Sequence, residues 1–98
     1  MERGGYVYIL TNINHRVLYT GVTSNLRNRI LEHKAKIYPN SFTSKYNCTL
    51  LIYFEFYDSI EEAIAREKQL KNWKRVWKME LIQKVNPNFT ALSSDVYD

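Results

Sequence analysis

The chain has 98 residues and a formal net charge of +4, with 45% hydrophobic and 24% charged residues. That length holds one compact domain with one modest core, and the composition excludes an intrinsically disordered chain. The single cysteine, Cys48, excludes an intramolecular disulfide, a cysteine-built zinc cluster and a C-x-x-C redox pair, while no stretch approaches the ~20 apolar residues of a membrane span.

A soluble, cytoplasmic protein is therefore expected. The positive charge permits a polyanionic partner without requiring one.

Tyr6 to Leu10 and Val17 to Tyr19 are short runs rich in β-branched and aromatic residues. The turn formers Asn12 to His15 separate them, which predicts a hairpin. Thr23-Ser24-Asn25 offers a helix cap, and Leu26, Ile30 and His33 recur on one helical face, so a first helix is expected to end near Lys34 to Lys36. Tyr38 to Asn47, with Pro39, Asn40, Ser41, Thr43 and Ser44, reads as a long loop suited to binding or mobility.

Thr49 to Tyr57 is the strongest strand signal. Strict alternation puts Leu50, Ile52, Phe54 and Phe56 on one face and Leu51, Tyr53, Glu55 and Tyr57 on the other. Ser59 and Glu62 form a capping-box pattern ahead of a second helix striped by Ile60, Ala63, Ile64 and Leu70. A third helix would bury Val76, Trp77, Leu81 and Ile82, with Trp73 also in the core, and would stop before Asn86-Pro87. The order β-β-α-β-α-α predicts an α+β domain over residues 1–87, with a small three-stranded antiparallel sheet and flanking helices, followed by a frayed tail over 88–98.

Four patterns invite a functional reading beside the structural one. Glu67 falls on the apolar stripe of the second helix, where a carboxylate needs a cation, a hydrogen-bond network or a metal; the plain alternative is an edge residue paired with Lys71. Arg29 and His33, four apart, share one helix side and one reach; an arginine fork suits phosphate and a histidine moves protons, although a solvated flank has the same spacing. Lys68, Lys71, Arg75 and Lys78 advance in steps of three and four, as a phosphate-binding stripe or a solvated face would. Tyr6, Tyr8 and Tyr19 add an aromatic sheet face, which packing alone also explains.

The order of these residues is more specific than any one of them. Tyr6-Val7-Tyr8, then Tyr19-Thr20-Gly21 after ten residues, then Arg29, His33 and a helical Glu67 resemble the GIY-YIG nuclease superfamily. Leu18 to Ser24, Phe42-Thr43 and Ala63 to Lys71 are similar to its small stand-alone bacterial members and to the excinuclease nuclease domain of the same superfamily. The likeness runs from about Gly5 to Pro87. The first triplet keeps only its last tyrosine and the second its tyrosine and glycine; a late asparagine at the site has Asn72 and Asn86 as candidates.

The resemblance implies a divalent-metal-dependent DNA endonuclease, with a role in repair or recombination on structured DNA. Glu67 would hold one magnesium or manganese ion, Tyr8 or Tyr19 would orient or deprotonate water, and Arg29 and His33 would serve the phosphate and the proton. Lys68, Lys71, Arg75 and Lys78 would receive DNA, with an unknown protein partner as a second source of selectivity. The rival expectations are a nucleic-acid-binding module without cleavage and a protein-interaction adaptor on the same fold.

Overall fold

The computed structural model describes residues 4–92. Strands β1 (Gly5–Thr11) and β2 (Leu18–Thr23) are followed by helices α1 (Leu26–Ala35) and α2 (Phe42–Lys45), strand β3 (Leu50–Tyr57), and helices α3 (Ile60–Lys71) and α4 (Arg75–Val85). The three strands form one antiparallel sheet in the order β2-β1-β3, so β1 is hydrogen-bonded along both edges. This is the α+β architecture that the sequence pattern predicts.

The hairpin is closed by Asn12, whose side-chain oxygen accepts from the backbone amides of Arg16 and Val17 at 2.9 and 3.2 Å, while His15 takes up a left-handed φ of 60°. That fixes Tyr8 opposite Gly21 on one side and Phe54 on the other.

The alternation expected of β3 does not hold. Ile9 pairs with Tyr53 and Leu10 with Leu51, so Ile52 is the extra residue of a β-bulge. Beyond it the faces exchange. Leu51 packs with Tyr8, Leu10, Leu26, Ile30 and Cys48 beneath α1, and Phe54 lies against the same cluster, whereas Ile52 and Tyr53 both join Ile9, Ile82 and Phe89 on the opposite face. Val7, Ala63 and Leu70 complete that second face under α3.

Three other expectations are corrected. The loop from Tyr38 to Asn47 contains the one-turn helix α2, capped by Ser41, whose hydroxyl accepts from the Ser44 amide. Val76 and Trp77 are exposed, Trp73 is only half-buried, and Ile64 lies at the edge of its stripe. Ile82 is the residue through which α4 is buried, and positions five and six before it lie about 140° and 120° around the helix, away from the sheet. Residues 88–92 are not frayed: Phe89 is buried and the Leu92 amide donates to the Leu51 carbonyl at 2.7 Å. Positions 93–98 of the expected tail lie outside the described residues.

Candidate active site

The centre of the site is Tyr8, in the middle of the central strand and fully enclosed. Its ring lies across Gly21. A Cβ there would stand 2.5 Å from the Tyr8 Cζ and hydroxyl oxygen and 2.9 Å from Cε2 of Tyr19, so only glycine leaves the ring its place.

The Tyr8 hydroxyl is 2.9 Å from Nε2 of His33, and Nδ1 of His33 is 2.9 Å from the Thr43 hydroxyl. Asn25 caps α1 by accepting from the Asn28 amide, and burial of Leu26 and Ile30 turns His33 toward the sheet two turns later. Burial, with the Arg29 guanidinium adding to it, pushes the imidazole down to about 4, against a smaller opposing pull from Glu32. His33 is therefore neutral at physiological pH. Burial raises Tyr8 to about 12, while the neighbouring Arg29 pulls the other way.

Arg29 pairs with Glu32 at 2.9 Å and lies over the Tyr38 ring. With Tyr19, His33, Tyr38, Ser41, Phe42, Thr43 and Ser44 they line a cleft of about 410 Å³. Tyr19 is half-buried, 5.7 Å from the His33 ring between centroids, and stacked on Phe42. It is also a wall of a second opening of about 300 Å³, shared with Leu18, Thr20, Phe42, Lys71 and Lys78. Tyr8, Tyr19, Arg29 and His33 thus come together, and Tyr19 joins their cleft to the basic residues.

Glu67 is 8% exposed on the buried face of α3 between Ala63 and Leu70, and its charge is felt at Tyr8. Its carboxylate binds the Lys71 ammonium at 2.7 Å, the pairing that the four-residue spacing allows. Among the described residues no three His, Cys, Asp or Glu side chains cluster as a metal cage. A mostly buried carboxylate whose only ion-pair partner among the described residues is a half-exposed lysine fits a hard cation that keeps most of its waters, and does not fit zinc.

Lys78 is half-buried, and burial together with the Lys71 and Arg75 cations holds its pKa below the ordinary lysine value. Arg75 also donates to the His15 carbonyl. Lys68 is exposed and lies outside the lining of this opening.

Of the two late asparagines, Asn86 is committed elsewhere. Its amide donates to the carbonyls of Ile52 and Thr90, each at 2.9 Å, and accepts from the Thr90 amide. Asn72 is the exposed C-cap of α3. The sequence points to Thr43 only through the Phe42-Thr43 resemblance, with no role of its own, and Ser41 and Glu32 line the cleft beside it. The Ser41 capping pattern was the available signal, hidden among turn-forming neighbours.

The fold, with its tyrosine-bearing sheet, Arg/His helix face and helical glutamate, is that of a nuclease family. A family model described as the GIY-YIG catalytic domain matches residues 4–88, and the chain belongs to that family, whose nucleases act on nucleic acid and generally use divalent metal ions. A UPF0213 protein of Syntrophus aciditrophicus is 38% identical over 82 residues, covering 84% of this chain and 92% of that protein. One from Clostridium perfringens is 40% identical over 81 residues, covering 79% and 81%. The solution NMR structure of a UPF0213 protein from Bacillus halodurans superposes with a TM-score of 0.57 at 26% identity, covering 93% of this chain and 95% of that one.

Proposed function

We propose that this chain is a DNA endonuclease that hydrolyses phosphodiester bonds with one divalent ion, magnesium or manganese, held by Glu67. The observation that carries this is the bond from Tyr8 to a neutral His33, formed beside Arg29 at a cleft whose wall also borders Lys71 and Lys78.

When bound, the ion offsets charge on the scissile phosphate and polarises its ligands. Arg29 supplies a fixed cation for the phosphate oxygens at the mouth of the cleft. Tyr19, the tyrosine that faces the opening, orients the attacking water. Once substrate docking opens the enclosure of Tyr8 to that water, the phenol takes its proton as its own phenolic proton passes to Nε2 of His33, so charge never accumulates on a buried tyrosinate. Lys78 and Arg75 hold a flanking phosphate, which offsets the burial and the neighbouring cations that lower Lys78. Lys71 serves the same strand once it leaves Glu67. Structured DNA of the kind handled in repair or recombination is the substrate that the resemblance favours.

The test is cleavage of end-labelled branched and single-stranded DNA in magnesium, manganese or chelator. The native protein should cut only with metal, Glu67→Ala should lose cutting, and Tyr8→Phe should slow it by about 10²- to 10⁴-fold. Cutting that persists in Glu67→Ala would sink the metal assignment. A second reading, DNA binding without cleavage, draws on the Lys71 ammonium already neutralising Glu67; salt-sensitive binding with no metal-dependent product would establish it.

A further inference from the structure

We infer that Thr43 is a positioning residue of this site, accepting the Nδ1 proton of His33 so that Nε2 stays bare to receive the proton of Tyr8. This role rests on the proton transfer proposed above for Tyr8 and His33.

The direction of donation follows from a count of hydrogens along a chain of side chains. Ser41 donates its one hydroxyl hydrogen to Oγ of Ser44, and its oxygen accepts from the Ser44 backbone amide as the cap of α2, both at 3.3 Å. The Ser41 and Thr43 hydroxyl oxygens are also 3.3 Å apart, and with the Ser41 hydrogen committed, Thr43 is the donor in that contact. Thr43 then has no hydrogen left for His33. Its oxygen, 2.9 Å from Nδ1, accepts, and a neutral imidazole with its hydrogen on Nδ1 presents a lone pair at Nε2, 2.9 Å from the Tyr8 hydroxyl.

The chain thus runs from Tyr8 to His33 to Thr43 to Ser41. The opposite tautomer would place a hydrogen on Nε2 and leave the phenolic proton without an acceptor.

The surroundings hold Thr43 in this role. Its side chain is 3% exposed, its carbonyl accepts from the Cys48 amide at 2.9 Å, and Ser41 fixes the turn that presents it. An α2 one residue out of register would offer Phe42 or Ser44 to the imidazole instead.

The experiment uses the full chain with its histidines labelled with ¹⁵N; there are two, and His33→Gln assigns the signals. At neutral pH the native protein should show a protonated Nδ1 and an unprotonated Nε2 on His33. Thr43→Val should move the hydrogen to Nε2 or mix the tautomers, and Thr43→Ser should restore the native pattern. In cleavage, Thr43→Val should lower kcat by about tenfold or more with KM for DNA little changed, and the serine variant should recover it. A native His33 protonated on Nε2 overturns the proposal, as does an unchanged tautomer in folded Thr43→Val. If the valine variant does not fold, the native and Thr43→Ser spectra still decide. If the native protein cuts nothing, the endonuclease reading fails while the ring spectra still report on Thr43.

Discussion

Position 21 shows how a single residue can set a reaction centre without touching it. The Tyr8 ring fits because its partner across the ladder has no side chain, and a methyl group there would meet the ring at 2.5 Å. Gly21→Ala should therefore cost roughly 1 to 3 kcal/mol in urea denaturation and abolish cleavage by displacing the phenol from His33. His33 makes a second prediction. Its folded pKa of about 4 lies below the unfolded 6.5, so the unfolded chain binds more protons between those values and stability falls as pH drops from about 6.5 toward 4. Denaturant midpoints at neutral pH and near pH 4.5 should show that loss, and His33→Gln should flatten it. In cleavage, the relay needs a protonated Tyr8 beside a neutral His33, so the rate should fall as pH drops toward 4 and stay level from about pH 6 to 9. A rate that climbs steadily across that range, with chemistry limiting, would mean that tyrosinate must form first and would exclude the relay. The spacing of Arg29, His33 and Glu67 was legible in the chain, as was the Glu67–Lys71 pairing. Thr43 was legible only as part of the Phe42-Thr43 resemblance, because its role depends on a hydrogen-bond direction that exists only once α2 brings it to His33.

Among the elements, β3 is where one-dimensional pattern and three-dimensional outcome part. Its residues are apolar nearly throughout, so nothing in their order marks which one is extra, and the bulge at Ile52 reverses the faces that simple alternation assigns. The structure supplies the reason it is tolerated: the Ile52 carbonyl accepts from the side chain of Asn86, which also ties down Thr90. Asn86→Ala should accordingly lower stability by about 1 to 3 kcal/mol, read as a drop in Tm, with the spectrum of His33 unaffected. Helix α4 departs from its pattern for a related reason. Val76 and Trp77 look like core by composition, yet the helix faces the sheet through Met79, Leu81 and Ile82, and Trp77 instead meets the Trp73 edge and the Lys74 ammonium. The two strands of the hairpin and helices α1 and α3 were legible because turn residues, caps and apolar period agree there.

For the molecule as a whole, the excess of four positive charges is less informative than its placement. Lys71 and Lys78 line the opening that shares Tyr19 with the main cleft, and burial together with the Lys71 and Arg75 cations holds Lys78 below the ordinary lysine value. Affinity for DNA should fall steeply with salt, and Lys78→Ala should reduce the slope of log K against log salt by about one without altering sequence preference. A slope unchanged in that variant would move the landing surface elsewhere.

The central position of β1 has one more consequence, and it concerns time. With hydrogen bonds along both edges, the strand that carries Tyr8 has nowhere to fray, and its amides should exchange with solvent deuterium only when the whole domain opens. The single turn of α2 that carries Thr43 is held by far fewer backbone hydrogen bonds, and its amides should exchange sooner. The phenol would then belong to the slowest-opening part of the protein and the group that orients its histidine to a faster one, so an opening of α2 would interrupt proton transfer while the sheet stays intact.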